Sequence, residues 1–395
     1  MCHGGSLAEV RAQSNCSDDQ SSGQEKVAMS ASTHSAMIMA GGTGGHVYPG
    51  LAVASALREA GWEVSWVGTA RGLEARVVPV SGMTLHTLTT LGLRGKGIIS
   101  RLKGVFSLVF ACLQALRLLL RHRPTLVIGF GGYAAGPAGA VAAVLRIPVL
   151  IHEQNAVAGT TNRLLARGAC RVMAGFEGAF ASPANALVTG NPLRAELCQQ
   201  PQKIYPQSTF TPERPLRIAI LGGSQGALAL NKGCPDAFAA LPTEVLAALD
   251  VKHQCGALHL DVTQDAWASV EVRNVDVMPF VEDMASLYAW ADLAICRAGA
   301  LTVSELAVTG TPSLLVPLPQ AIDNHQVKNA EVLCEAGGAR ILPQPSLSDT
   351  TLAQFISDII NDAARLGAMS ERARAWSKPN ATQDVVSVAQ EVACG

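Results

Sequence analysis

One local pattern occurs twice in this 395-residue chain: an apolar run, then a glycine-rich loop, then a helical stretch. The three parts span, in order, 37–40, 41–45 and 51–60 in the first copy and 216–221, 222–226 and 227–240 in the second. Such a succession is typical of the βαβ unit of a parallel sheet. The repetition predicts an α/β fold of two doubly wound, Rossmann-like domains, with ligands bound at the carboxyl ends of the strands.

The expected organisation of the chain follows from this repetition. The length fits two domains of roughly 100 to 200 residues each. The polar segment 199–215 contains four prolines and is interpreted as the linker between them. We expect a first domain at 35–198, a second at 216–376, and a last helix at 377–395 whose packing partner the sequence leaves open. Residues 1–34 are polar without an apolar core, which predicts a disordered tail and not a secretory signal.

The net charge of −1 conceals two oppositely charged halves. Up to Arg194 the chain has 17 basic and 9 acidic residues, and after it 13 basic and 22 acidic residues. A basic half indicates an anionic partner for the first domain. The ten cysteines include no Cys-x-x-Cys pair. The sequence therefore predicts neither a disulfide scaffold nor a zinc site, and it fits a reducing cytosol.

The charge-free segment 124–145 is long enough to cross a bilayer. Glycine and proline residues interrupt it, however, which predicts a short strand at 125–130, a turn and a helix of small residues. Buried parallel strands also appear in a sequence as continuous apolar runs. We therefore interpret this segment as part of a folded domain and not as a membrane span.

Three glycine-rich loops, at 41–45, 129–133 and 222–226, follow directly on predicted strands. In that position, backbone N–H groups and the start of the next helix can bind phosphate. None of the loops has the Gly-Lys-Ser/Thr of a P-loop, and Val47 stands where a dinucleotide fingerprint needs its third glycine. The loops predict anion-binding surfaces on both domains, without a Walker-type ATPase and without a cofactor.

A competing interpretation concerns the third loop. Its sequence also fits Gly-x-Ser-x-Gly, the strand-to-helix turn that carries a nucleophilic serine in α/β hydrolases. Ser224 would be the nucleophile, with Asp292 or Asp323 and then His325 following in the required order. A soluble serine hydrolase is therefore the alternative function, although it leaves the other two loops unexplained.

Polar residues also mark the ends of other predicted strands. They are His152-Glu153-Gln154-Asn155 after 148–151, Glu305 in the helix after 293–296, and Asp323-Asn324-His325-Gln326 with Asn329 after 313–316. A carboxylate such as Glu305, one turn into a helix, can accept paired hydroxyl groups while the free N–H groups face a phosphate. The amides suit the hydroxyls of a sugar. The chain has no Asp-x-Asp triplet, so a carboxylate-held metal is not expected.

A basic, acid-free stretch lies between Glu74 and Glu153, with nine lysines and arginines. Apolar residues are interleaved with them in a pattern broken near Gly104, which is typical of an amphipathic segment on an anionic bilayer. The candidate membrane residues are Ile98, Arg101, Leu102, Lys103 and Phe106. A core helix with a solvated basic rim is the alternative. Nucleic acid is not an expected partner, because the stretch lacks aromatics interleaved for base stacking.

Seven motifs together resemble the MurG family of N-acetylglucosaminyltransferases. They are GGTGGHVYP at 41–49, GFGGYAAGP at 129–137, HEQNAVAGT at 152–160, GNPLR at 190–194, GGSQGA at 222–227, RAGALTVSE at 297–305 and DNHQVKN at 323–329. They occur in the family's order from about Met37 to the C-terminus, whereas 257–269 is dissimilar. The resemblance implies a GT-B fold, in which two Rossmann-like domains face each other across a cleft.

The resemblance also implies an activity. The family transfers GlcNAc from UDP-GlcNAc to the C4 hydroxyl of MurNAc in undecaprenyl-linked lipid I, with inversion, and so forms lipid II for peptidoglycan synthesis. It implies a peripheral enzyme on the cytoplasmic face of the bacterial inner membrane, with roles in cell shape and cell division. Inversion fits a single in-line displacement in which a base takes the acceptor proton, so no covalent intermediate is required.

Site residues are carried over from the family motifs one by one. We predict His46 as the base, with Glu153 as its rival, because a histidine at the mouth of the first loop titrates near neutral pH. The implied donor-binding residues are Thr43, Gly44, Gly45, Asn155, Arg194, Ser224, Gln225, Gly226, Val281, Ala300, Leu301, Thr302, Glu305, His325, Gln326 and Asn329. The implied acceptor-binding residues are Gly41, Gly42, Gly131, Gly132 and Tyr133.

Overall fold

The computed structural model describes residues 34–89, 98–180, 185–207, 209–319, 324–347 and 350–395. For 98–103 it describes the backbone only. The predicted tail at 1–34 lies outside these ranges apart from its last residue. Of the candidate membrane residues, only Phe106 has a described side chain.

The first sheet has seven strands in the order β3-β2-β1-β4-β5-β6-β7, and every neighbouring pair is parallel. The strands are β1 Ser35–Ala40, β2 Glu63–Gly68, β3 Thr84–Thr87, β4 Leu126–Gly131, β5 Val149–Glu153, β6 Arg171–Ala174 and β7 Leu187–Val188. The apolar run 37–40 is fully buried because helices cover both faces of this part of the sheet.

The second sheet has six strands in the order β10-β9-β8-β11-β12-β13, again all parallel. The strands are β8 Leu216–Leu221, β9 Leu249–Gln254, β10 Asn274–Met278, β11 Leu293–Cys296, β12 Ser313–Leu315 and β13 Ala339–Ile341. In each sheet the strand order reverses beside the first strand, at β1/β4 and at β8/β11, which is where an open α/β sheet binds ligands. The predicted fold class, two Rossmann-like parallel sheets, is confirmed.

Fifteen α-helices lie within the described residues. They are α1 Gly44–Glu59, α2 Glu74–Val80, α3 Ile98–His122, α4 Ala135–Val144, α5 Thr160–Leu165, α6 Ala195–Cys198, α7 Leu228–Ala239, α8 Thr243–Leu246, α9 Leu260–Ala268, α10 Met284–Trp290, α11 Ala300–Thr309, α12 His325–Glu335, α13 Thr350–Asn361, α14 Ala364–Trp376 and α15 Ala381–Cys394.

Helix α1 begins seven positions before the predicted 51–60. Its first turn therefore lies within the first glycine loop, and the loop and the helix N-terminus form one structure.

Two apolar segments raised the question of a membrane span. The charge-free segment 124–145 forms β4 and α4, as predicted, and β4 is buried throughout. In contrast, α3 contains a stretch, Gly104–His122, that is long and apolar enough to cross a membrane, and only 22% of it is buried. The predicted break near Gly104 is wrong. The helix continues through this residue, since one glycine inside a helix costs only about 1 kcal/mol relative to alanine.

The two sheets are joined by more than the segment between them. Helix α15 follows the second sheet in the chain, yet its residues Val385 and Ala389 pack with α1 in the core of the first sheet. Asn191 Nδ2 donates to the carbonyl of Gln154, at the end of β5, and to Ser304 Oγ in α11. Contacts of this kind fix how the two sheets lie relative to each other.

The first two glycine loops lie in direct backbone contact. Gly132 has φ +89°, and a Cβ added there would lie 2.2 Å from the carbonyl oxygen of Gly41. Both the backbone conformation and the space therefore require glycine at this position.

We expect Gly132→Ala to lower the free energy of unfolding by about 1–3 kcal/mol, because it combines an unfavourable φ with a backbone clash. Gly136→Ala is the matched control. Gly136 lies in α4, where an added Cβ meets nothing closer than 3.5 Å, so its stability should be unchanged or slightly higher. Thermal unfolding of both variants checks this, and equal melting temperatures would contradict the close contact.

Candidate active site

His46 lies in the first turn of α1, half-buried beside the second glycine loop. Its Nδ1 is 3.3 Å from the carbonyl oxygen of Gly41. A carbonyl can only accept, so Nδ1 carries the proton and Nε2 keeps its lone pair. Burial lowers the pKa of His46, and the charges of Glu153 and Glu74 oppose that shift. The imidazole is therefore neutral near pH 7 and able to accept a proton at Nε2.

Glu153 ends β5 and is almost completely buried. Its carboxylate accepts four hydrogen bonds, from Asn155 N (2.9 Å), Asn155 Nδ2 (3.0 Å), Gly159 N (3.0 Å) and Asn162 Nδ2 (2.9 Å). Four donors occupy the lone pairs that a general base would need to keep free. Glu153 thus fixes the 153–162 turn near His46.

The other residues predicted for the acceptor line the same place. Gly131 has φ +110°, and a Cβ added there would lie 3.1 Å from His46 Nε2. Tyr133 is 52% exposed at the start of the next turn. Thr43, Gly44 and Gly45, which are predicted to bind the donor, open α1 beside them, with Thr43 exposed. The first two loops, His46 and the Glu153 turn therefore form one cluster.

The third loop follows β8 and precedes α7. Ser224 and Gln225 are exposed, and Gly226 packs so closely on Cys255 that an added Cβ would lie 1.9 Å from its carbonyl oxygen. Gln254, the last residue of β9, donates through Nε2 to Gly223 O (2.9 Å) and to Pro279 O (3.2 Å). The backbone of the loop is therefore held against the ends of β9 and β10.

The geometry around Ser224 does not support a hydrolase triad. Asp292 precedes β11, so it lies at the opposite end of the sheet from Ser224, and its carboxylate accepts from the backbone N–H of Arg217. Asp323 lies outside the described residues. Within the described part of the chain, no histidine is hydrogen-bonded to Ser224. The sequence suggested Asp292 only through its order in the chain, which carries no information on which edge of the sheet it occupies.

Glu305 lies in the second turn of α11, after Ala300, Leu301 and Thr302 in its first turn. Its Oε2 accepts from the hydroxyl of Tyr288 at 3.1 Å. Burial raises the pKa of Glu305 to about 7, against the opposing charge of Arg194. Arg194 in turn lies over the ring of Tyr48, with 6.0 Å from its guanidinium carbon to the ring centroid. A half-buried carboxylate with one donor retains acceptor capacity for a ligand.

The amides predicted to bind a donor sugar make hydrogen bonds to other parts of the protein. Asn329 is fully buried. Its Oδ1 accepts from Ala156 N (2.8 Å), and its Nδ2 donates to Asn155 Oδ1 (3.3 Å) and Ala298 O (3.2 Å). Gln326 Oε1 accepts from Leu318 N. Asn155 and Asn329 therefore link the two sheets.

Two further residues predicted to bind the sugar donor, His325 and Val281, form no hydrogen bond between the two sheets among the described residues. Nδ1 of His325 is buried without a hydrogen-bond partner among the described residues. Val281 is half-buried just after β10. Both lie in segments that follow strands of the second sheet.

Sequence reasoning missed two residues of this region, Gln254 and Glu74. Gln254 carries the same signal that singled out 152–155, since His253 and Gln254 are polar residues that end a buried strand. Glu74 is buried and bonds to the first loop, 32 positions earlier in the chain. No local pattern marks such a contact, because only the folded sheet brings the two segments together.

Two parallel sheets with glycine loops at their switch points, and a carboxylate one turn into a helix of the second sheet, are the arrangement expected of the GT-B fold. Residues 36–174 match the model of the glycosyltransferase family 28 N-terminal domain, and residues 217–388 match that of the family 28 C-terminal domain. The chain belongs to glycosyltransferase family 28, and it is a hexosyltransferase.

Similar proteins match over nearly their whole length. A UDP-N-acetylglucosamine–N-acetylmuramyl-(pentapeptide) pyrophosphoryl-undecaprenol N-acetylglucosamine transferase from Methylococcus capsulatus is 49% identical over 361 residues, which are 90% of this chain and 98% of that one. The protein of the same name from Pseudomonas aeruginosa is 46% identical over 359 residues, 91% of this chain and 99% of that one.

Solved structures agree with these relatives. MurG from Acinetobacter baumannii has a TM-score of 0.74 at 39% identity, over 91% of this chain and 99% of that one. A UDP-GlcNAc 2-epimerase from Neisseria meningitidis, at 14% identity and a TM-score of 0.62 over 90% and 99% of the two chains, shares the fold alone.

The raised pKa of Glu305 predicts a pH-dependent stability. The group is protonated in the folded state up to about pH 7 but ionises near its ordinary value when unfolded, so its contribution falls as the pH rises from 4.5 to 7. Glu305→Gln stays neutral. The melting temperature of Glu305→Gln minus that of the wild type should therefore be a few degrees larger at pH 8 than at pH 5. A difference that is the same at both pH values would contradict this environment for Glu305.

Proposed function

We propose that this chain is the inverting enzyme that transfers GlcNAc from UDP-GlcNAc to the C4 hydroxyl of MurNAc in lipid I, giving lipid II for peptidoglycan synthesis. One observation carries the proposal: relatives named as N-acetylglucosamine transferases acting on N-acetylmuramyl-(pentapeptide) pyrophosphoryl-undecaprenol align with nine-tenths of this chain at 46–49% identity. The cluster around His46 and the Glu305 helix supply two sets of groups suited to an acceptor and a nucleotide donor. A role in cell shape and division follows from the product.

The donor is assigned to the second half of the chain, with the domains divided as the sequence predicts at 35–198, 199–215 and 216–376. The exposed residues Ser224 and Gln225 would bind the diphosphate, and Glu305 the ribose hydroxyls. Val281 would contact uracil through its backbone. Because Glu305 accepts a single hydrogen bond from protein, its carboxylate has capacity for two ligand hydroxyls.

The base is assigned to His46. Its Nε2 lone pair is available, whereas the Glu153 carboxylate accepts four hydrogen bonds from protein. In a single displacement the acceptor hydroxyl gives its proton to Nε2 while its oxygen bonds to the anomeric carbon, and the bond to UDP breaks with its electron pair on UDP. Loop N–H groups and the start of α11 would stabilise the leaving diphosphate.

A peripheral position on the cytoplasmic face of the inner membrane is assigned to α3. One side of this helix, Ala111, Ala115 and Leu119, is buried against the first domain, which favours a helix lying on the bilayer over one crossing it. The other side exposes large apolar residues, among them Phe106 at 75% and Val109 at 53%. Basic residues in and before this helix would attract anionic lipids.

The activity is tested by UDP release from UDP-GlcNAc, with and without a lipid I analogue. We expect acceptor-dependent release that falls by about 10²–10⁴-fold in His46→Ala, since a positioned base contributes that much. No acceptor-dependent release, together with fluorophosphonate labelling of Ser224, would favour the hydrolase instead. Near-normal turnover in His46→Ala combined with loss in Glu153→Ala would move the base to Glu153.

The membrane assignment is tested by co-sedimentation with phosphatidylglycerol vesicles. We expect wild-type binding that weakens as salt is added, and a marked loss in Phe106→Glu, which places a charge on the apolar side of α3. Leu258→Glu is the control, because Leu258 is 91% exposed in the other half of the chain. Equal sedimentation of both variants would contradict the role of α3.

A further inference from the structure

Glu74 is a fully buried carboxylate beside the first glycine loop. It accepts hydrogen bonds from Gly42 N (2.9 Å), Thr69 N (2.8 Å) and the Thr69 hydroxyl (2.7 Å). No lysine or arginine in the described part of the chain forms an ion pair with it. Three dipoles thus stabilise a buried negative charge that would otherwise be costly.

The side chain of Glu74 is closely surrounded by glycines. Added Cβ atoms at Gly41 and Gly72 would lie 2.6 Å and 2.0 Å from Glu74 carboxylate oxygens, and one at Gly68 would lie 2.6 Å from its Cγ. Three glycines therefore surround the side chain. The position of the carboxylate relative to the first loop is fixed by packing as well as by hydrogen bonds.

The contact with Gly42 connects Glu74 to His46 through one peptide group. The N–H of Gly42 donates to Glu74, and the carbonyl of the same peptide group, Gly41 O, accepts from His46 Nδ1. A hydrogen bond at one end of a peptide group polarises it and strengthens the bond at the other end. This arrangement of carboxylate, peptide group and imidazole resembles the pair formed by a catalytic histidine and the acid that orients it. The difference is that a peptide group lies between the two here.

We propose that Glu74 is a positioning residue of the transfer reaction, which holds His46 in the Nδ1–H tautomer through the Gly41–Gly42 peptide group. The inference rests on the proposed function, in which His46 is the base. When the acceptor proton reaches Nε2, the imidazole becomes positively charged, and the buried carboxylate stabilises that charge. Glu74 itself neither touches the substrate nor exchanges a proton.

Two carboxylates act on His46, Glu153 from the end of β5 and Glu74 from α2. Only Glu74 reaches it through the peptide group that His46 itself bonds, whereas the four donors to Glu153 come from the 155–162 turn. Removal of Glu74 should therefore affect the tautomer of His46, and removal of either charge should affect its titration.

The first test uses the full-length wild-type protein and Glu74→Gln, with ¹⁵N-histidine NMR as the readout. We expect the Nδ1–H tautomer at His46 in the wild type. In Glu74→Gln we expect a mixture of tautomers, because an amide can offer its oxygen either to Gly42 or to Thr69 but not to both. An Nε2–H tautomer in the wild type, or an unchanged tautomer in the variant, would overturn the inference.

The second test is kinetic. We expect kcat of Glu74→Gln to fall roughly 10- to 100-fold, the usual effect of removing a group that orients a ligand or base, with an unchanged dissociation constant for UDP. The acid limb of the kcat/KM profile should move to lower pH, since the imidazolium loses a stabilising charge. A loss that is uniform across pH would indicate a purely structural role and would overturn the inference.

Further variants distinguish failure of the Glu74 inference from failure of the proposed function. In the His46→Ala background, Glu74→Gln should cause no additional loss if it acts through His46, whereas Glu63→Gln, an exposed acid on β2, should change nothing. If Glu74→Gln does not fold, Glu74→Asp tests the same contact with the charge retained, and an unchanged rate and tautomer there would overturn the inference. A wild-type chain without acceptor-dependent UDP release would instead overturn the proposed function, while the tautomer measurement would remain valid.

Discussion

The close approach of backbone to backbone at the carboxyl edge of the first sheet is the constraint on which the rest of the site depends. Gly132 lies against Gly41 with no space for a Cβ, and Gly131 lies against the imidazole of His46. Loops this close have few side chains of their own to satisfy their polar groups. Neighbouring elements must supply the partners: Glu74 from α2 accepts from Gly42 in the first loop, and Glu153 from β5 holds the adjacent 153–162 turn.

The number of protein donors around each of three carboxylates distinguishes its role. Glu153 accepts four hydrogen bonds and Glu74 three, so both are committed to holding backbone in place. Glu305 accepts one, and burial raises its pKa to about 7. A carboxylate that the protein leaves partly unsatisfied is the one able to bind a ligand. The same residue type therefore serves as scaffold on the first sheet and as a candidate ligand-binding group on the second.

Local patterns in the sequence predicted strands such as β1, β4 and β8, the glycine loops and the fold class, because a buried strand and a tight turn are each encoded by residues close in the chain. The short strands β3, β7 and β13 were not predicted. Tertiary features were not predictable in this way. Helix α3 continues through Gly104 although a break was expected, since packing of Ala115 and Leu119 outweighs one unfavourable residue. Asp292 follows Ser224 in the chain as a hydrolase triad requires, but it lies at the opposite edge of the sheet. Glu74 meets its partners only after the sheet forms.

The link between the two sheets shares a side chain with the proposed donor site. The Asn329 amide already makes three hydrogen bonds to protein, including one to Ala156 N and one to Asn155 on the first sheet. An amide has one oxygen and two N–H groups, so a sugar bound through Asn329 would have to replace some of these bonds. Helix α15 and the Asn191 contacts would still hold the sheets together. Donor binding through Asn329 would therefore loosen the two halves locally without separating them.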